Sequence, residues 1–376
     1  MQDLIDFLLP LNLSEITEDI SYSDGQMGKH ISMFESHIPD ITDVDVVIVG
    51  INEWRGGGKL TTDHAATNVI RKQLFRLHYW HTNIAIADLG NIKSGETLND
   101  TYAAIKTVVA ELIRLQKKVI IIGGSHDLTL AQHNAYKELN QIIEVSCIDA
   151  MIDLSGDSRL KSEQFLLEML TGEPNIVKHY NHIGFQSYFV HPRMLETIDK
   201  LRFDCYRVGV VKEDIQEMEP VIRNSNMLSF DINAIKNSDA PANALSPNGL
   251  SGEEACALSQ YAGQSKLLNS FGMYGYRYED DVHELTAIQI AQMIWYFIDG
   301  CHRGKHEPNL NELSKFNEFH TFFSEADTLF LQSKRTNLWW MQLPDKNFIA
   351  CSPKDYMKAS MNEIPERWLR SLERLA

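Results

Sequence analysis

A chain of 376 residues and 43.0 kDa is long enough to bury one large core or two ordinary ones. Its 51 acidic residues outnumber 35 basic ones, and a formal net charge of −16 repels nucleic-acid phosphates and anionic membrane surfaces. No apolar run reaches the roughly 18 to 20 residues that a membrane span needs, since even the segment 285–299 is interrupted by Gln289 and Gln292.

At the N-terminus, Met1-Gln2-Asp3-Leu4-Ile5-Asp6 carries acids where an export signal needs bases, and Pro10 ends the short apolar run. Cys147, Cys205, Cys256, Cys301 and Cys351 form no CxxC pair, so reduced thiols in a cytoplasmic protein are expected. From about residue 45 to 300, β-branched runs alternate with segments of helical period, the pattern of a mostly parallel sheet with helices on both faces. Eight strands are expected, over 45–50, 83–88, 118–123, 142–149, 182–187, 207–210, 227–232 and 267–275. Helices are expected over 96–116, where Leu98, Tyr102, Ile105, Val109 and Leu112 recur at helical spacing, and over 285–298. Fully apolar runs such as Val119-Ile120-Ile121-Ile122 read as central strands buried on both faces. Beyond about residue 304 a polar stretch precedes an aromatic hairpin, 337–343 and 347–350, turning at Pro344-Asp345-Lys346. Two short helices follow, around 354–361 and 365–375. The expected division is an α/β domain over 1–304, with roughly 40 N-terminal residues packed on it, and a C-terminal extension over 305–376.

Three strand ends carry ligating groups. Strand 118–123 runs into Gly124-Ser125-His126-Asp127, strand 142–149 into Asp149-Ala150-Met151-Ile152-Asp153, and strand 227–232 contains Ser229-Phe230-Asp231-Ile232-Asn233. Paired glycines permit the tight turn that presents His126. Taken singly, these carboxylates read as caps of the helices that follow. Together, at the carboxyl edge where such sheets bind ligands, three buried acids call for a cation.

The ordered set GGxH, DAxxD and SxDx(D/N) resembles the metal signature of the ureohydrolase family, which includes arginase, agmatinase and formiminoglutamase. That resemblance implies a three-layer α/β/α fold and, in active members, two manganese ions sharing a bridging hydroxide. It assigns one ion to His126, Asp149, Asp153 and Asp231, all present here. The ligands private to the second ion are replaced by Met151, a soft thioether, and Asn233, which brings no charge. One divalent ion leaves the three aspartates at a net −1, whereas two would leave +1, so a single ion, manganese by resemblance, is expected. The glutamate that meets a cationic substrate in the family falls at Gly275, and Arg277 nearby would repel a guanidinium.

These losses argue against arginine and agmatine and leave a formiminoglutamase-like activity, hydrolysis of a C–N bond in a small linear amidine, as the expected function. No residue is assigned as the catalytic acid or base, although Asp127 is one candidate base. The alternative is a non-catalytic member that binds a small molecule or a protein. The resemblance also implies a homo-oligomer.

Overall fold

The computed structural model describes residues 2–17, 22–59, 65–324 and 326–374. Ten strands form one sheet: β1 (Leu8–Leu9), β2 (Ser32–Met33), β3 (Val46–Ile51), β4 (Ile86–Ile92), β5 (Lys118–Ile122), β6 (Ile143–Ile148), β7 (Val177–Phe185), β8 (Asp204–Arg207), β9 (Met227–Asp231) and β10 (Ser270–Tyr274). From β3 onward they run parallel, in the order β4-β3-β5-β10-β9-β6-β7-β8. β1 pairs antiparallel and β2 parallel with β4 at its outer side.

Alternation along the strands builds the two cores. Val46 and Ile48 of β3 and Ile120 and Ile122 of β5 join helices Ala65–Arg76, Gly252–Gln264 and Leu285–Gly304 on one face. Val47, Val49, Val119 and Ile121 meet helices Leu98–Arg114, Leu128–Glu138 and Phe165–Thr171 on the other. Strands buried on both faces explain why their sequences read as unbroken apolar runs. Three layers, α/β/α, result. Helix Leu98–Arg114 starts at a capping box in which Thr97 and Asp100 bond each other's backbone amides, a device that contributes about 1 kcal/mol.

Several boundaries differ from expectation. β7 begins at Val177, five residues before the expected start, because Lys178, His179 and Asn181 hid it from an apolar count. The expected strand 207–210 is the end of β8 followed by helix Val208–Glu213. β-branched valines there favoured the wrong assignment, and tertiary context prevails. β10 is Ser270–Tyr274, with Leu267 exposed outside it. Pro365 is the N-cap of helix Glu366–Glu373, one position before the helix proper.

A second, antiparallel sheet follows: β11 (Phe316–Phe323), β12 (Ala326–Ser333), β13 (Trp339–Gln342) and β14 (Phe348–Cys351), in that order. The expected hairpin is β13–β14, and β11 and β12 lie in what read as a polar stretch. This sheet has its own core of Phe323, Phe330, Met341 and Trp368. The C-terminal region docks on the α/β body through Trp340 of β13, whose ring lies 4.3 Å from the Arg223 guanidinium, and through Arg367 and Arg374 at the last helix, paired with Glu217 at 3.5 Å and Asp204 at 3.5 Å. Among the described residues no helix is long and apolar enough to cross a membrane.

Candidate metal centre

The four strands that carry the motifs are scattered in sequence and adjacent in space. β5, β10, β9 and β6 are consecutive neighbours, so their carboxyl ends bring His126, Gly275, Asp231 and Asp149 to one edge. The turn after β5 needs left-handed backbone at Gly123 (φ +93) and Gly124 (φ +80), and a Cβ on Gly123 would stand 2.6 Å from the Ile51 carbonyl oxygen. Glycine is the residue that meets both demands.

His126 lies at the centre. Its Nδ1 is 3.3 Å from Asp149 Oδ2, 3.0 Å from Asp153 Oδ2 and 3.3 Å from Asp231 Oδ2. Yet this buried nitrogen has no well-directed hydrogen bond among the described residues. Among the described residues, His126, Asp149 and Asp153 bring one ligand atom each within 4.8 Å of one another, a grouping with room for an ion, and Asp231 approaches it through His126. On its other side, His126 Nε2 meets Ser229 Oγ at 3.0 Å, and Ser229 meets Thr129 Oγ1 at 2.6 Å. A proton held on Nε2 leaves the Nδ1 lone pair for a metal.

Two of the aspartates accept a backbone amide with one oxygen and face His126 with the other, and Asp231 does so as the N-cap of the short helix Ile232–Ala234. Asp231 Oδ1 accepts the Asn233 amide at 2.7 Å and Asp149 Oδ1 accepts the Met151 amide at 3.2 Å, while each Oδ2 faces His126. Asp153 is followed by loop as far as Leu160, so it has no adjacent helix to cap. All four side chains are buried, with His126 4% exposed and Asp231 6%. Burial, then the Asp149 charge, raises Asp153 well above the carboxylate range and Asp231 to about 7. Burial opposes a charged His126, but Asp149, Asp153 and Asp231 outweigh it and hold the imidazole well above its ordinary value. Burial opposes a charged Asp149, but His126 outweighs it and lowers that carboxyl, so the charge of Asp149 falls on its two acidic neighbours.

Met151 and Asn233 are half-buried beside this group. Asn233 bonds Asp231 through its backbone and side chain, so it orients an acid where the family pattern has a ligand. Asp127 is fully buried, with one oxygen bonded by Ser125 and the other by Tyr102. It braces the turn and is unsuited to act as a base. His182, whose sequence context reads as a strand entry, lies inside β7 with Nε2 3.2 Å from the Asp149 carbonyl oxygen. Gln186 ties the 246–248 loop to this edge, accepting from Ser246 Oγ at 3.0 Å and donating to the Asn248 carbonyl at 3.0 Å.

Gly275 adopts φ +85, and a Cβ there would lie 2.8 Å from Asp231 Oδ1. An acidic side chain cannot enter at this position without displacing Asp231. Gly275→Ala should therefore cost about 1–3 kcal/mol in urea denaturation and weaken manganese retention on dialysis. Unchanged retention would show that Asp231 takes no part. Arg277, two residues on, pairs with Asp280 at 2.6 Å. Two larger cavities, about 530 and 550 Å³, lie at the seam with the second sheet, away from His126.

Comparison with known proteins agrees with this architecture. The family model described as Arginase family matches residues 44–299. A 94-residue segment is 29% identical to the formimidoylglutamase of Staphylococcus haemolyticus, covering 24% of this chain and only 30% of that protein. The Trypanosoma cruzi formiminoglutamase solved with Mn2+ superposes with a TM-score of 0.67 at 18% identity, over 74% of this chain and 99% of that one. Formimidoylglutamase from Bacillus subtilis gives 0.66 at 17%, over 80% and 98%. A hypothetical agmatinase from Burkholderia thailandensis gives 0.61 at 18%, over 73% and 91%. At these identities the structural likeness is one of fold, and the family match ends before β11 begins. Matched over most of its length, and with the parallel sheet and strand-end motifs in place, the chain belongs to the arginase family.

Proposed function

We propose that this protein holds one divalent metal ion, manganese by analogy with its relatives, on His126, Asp149, Asp153 and Asp231, and hydrolyses a C–N bond of a small linear amidine of the formimidoyl type. The observation that carries the reading is His126 Nδ1, buried and 3.0–3.3 Å from one carboxylate oxygen of each of three aspartates, with no well-directed hydrogen bond to any. When bound, a divalent ion acts as a Lewis acid and lowers the pKa of a water it holds.

The protein's own groups set the rest. Ser229 and Thr129 fix the imidazole, and the Met151 and Asn233 amides pin one oxygen of Asp149 and of Asp231, leaving the other free to face inward. Gly275 offers no charge to a guanidinium. Arg277 is positive although paired with Asp280 at 2.6 Å, and Lys59 stands close enough that burial, then the Arg277 charge, lowers its pKa while Asp280 and Glu279 oppose this. This favours a substrate bearing carboxylate over arginine or agmatine. A second reading, a non-catalytic ion-holding protein, draws on the seclusion of the four ligands and on Met151 in place of a histidine.

Metal analysis after purification with manganese, followed by hydrolysis assays on formimidoylglutamate, guanidinobutyrate, arginine and agmatine, separates the two. We expect one ion per chain and turnover of the formimidoyl compound above the guanidines. Two tightly held ions, or none, would overturn the single-ion centre. One ion without turnover would favour the second reading. Met151→His combined with Asn233→Asp should raise the stoichiometry from one ion toward two, read by the same metal analysis.

A further inference from the structure

The second sheet ends in a strand with an open side. β11 pairs with β12, and among the described residues no strand lies along its other edge. The Lys334 amide donates to the Lys315 carbonyl at 3.1 Å, which sets the phase of the ladder. In an antiparallel pair, bonded and non-bonded residue pairs alternate, so Asn317, Phe319, Thr321 and Phe323 direct their backbone groups to β12. Those of Glu318, His320 and Phe322 point to the open edge, together with the Phe316 carbonyl; the Phe316 amide is used by Leu313. Glu318 and His320 are exposed, and Phe322 is 63% exposed. Unpaired backbone of this kind is a template for another strand.

We propose that a second copy of this chain pairs with that edge, antiparallel, about a two-fold axis through Phe319. Parity selects the register. A two-fold axis placed between residues would set edge-directed groups of one copy against groups of the other already bonded to β12. An axis through Glu318 sets that acid against itself, and one through His320 sets two imidazoles together and shortens the overlap. Through Phe319, Glu318 of each copy faces His320 of the second copy, exchanging two backbone bonds per pair, and Phe322 faces Phe316. The imidazole can donate to the carboxylate across each such pair, whereas like groups face each other in the neighbouring registers, so the strand is complementary to itself in this register.

Sedimentation of the full chain across micromolar concentrations, with and without His320→Pro, tests this. Proline removes an edge amide and no bond to β12. The wild-type protein should sediment at twice the mass of the variant. A wild-type mass equal to one chain, or a variant of unchanged mass, would overturn the proposal. Charge variants provide a check that spares the backbone. His320→Glu alone places acid against acid twice and should weaken association roughly tenfold or more, and adding Glu318→Lys should restore it. Failure of that restoration would exclude this register even if the proline variant unfolds.

Discussion

Asp153→Asn should abolish metal retention while leaving the metal-free protein at least as stable as the wild type. The substitution keeps the shape of the side chain and removes its charge from a group of three buried carboxylates around one imidazole. Where ions bind only the folded state, saturating metal at about 100 times its dissociation constant stabilises by about 2.7 kcal/mol. That increment should be present in wild type and missing in the variant. Without metal the sign reverses. Asp153 is held well above the ordinary carboxylate range by burial and by Asp149, so its ionised form is a cost to the folded state, and removing the charge relieves it. Thermal melts with and without manganese, beside metal analysis after dialysis, read both effects. A variant that melts far below wild type without metal would show that Asp153 is a structural acid. Full retention of manganese would remove it from the coordination sphere.

What the sequence exposed and what it hid follow from the same physics. Central strands buried on both faces, such as β3 and β5, are apolar throughout and stand out in any scan. The ligand motifs stand out because three strand ends carry acids or histidine where an apolar strand should end in a turn. β7 was harder to see because its buried face is polar. His182 sits within it facing the Asp149 carbonyl, and His179 bonds Asp204 at 3.0 Å, so neither counts as hydrophobic although both are buried. β11 and β12 were hidden for a different reason: one face of β11 is exposed, and Asn317, Glu318 and His320 read as loop. Capping and ligation read as rivals in the sequence, whereas the Asp231 carboxylate has two oxygens, one accepting the Asn233 amide of the turn it caps and the other facing His126. Least visible of all was Arg71. An arginine inside helix Ala65–Arg76 reads as a solvated residue, and only the packed structure shows it fully buried.

That buried arginine has the largest expected effect on stability. Arg71 Nε donates to Asp88 Oδ2 at 2.8 Å and Nη2 to Asp88 Oδ1 at 3.0 Å, a two-point pairing with both side chains 0% exposed. Two further donors go to Asn91 Oδ1 at 2.8 Å and to the Gly90 carbonyl at 2.8 Å, while Asp88 Oδ1 also accepts the Gly90 amide at 2.9 Å. The group clamps helix Ala65–Arg76 to the carboxyl end of β4. Asp88→Ala should destabilise the fold by about 3–5 kcal/mol, because it strands a guanidinium that burial keeps from water. The figure measures the unpaired charge left behind more than the bond itself. For that reason Arg71→Met together with Asp88→Ala should lose markedly less than the two single changes added, a coupling that urea denaturation of the four proteins reads directly. Strict additivity would mean that water reaches the pair. Because the clamp lies on β4, outside the three strands that carry the proposed ligands, a folded Asp88→Ala protein should keep its manganese, separating loss of stability from loss of the site.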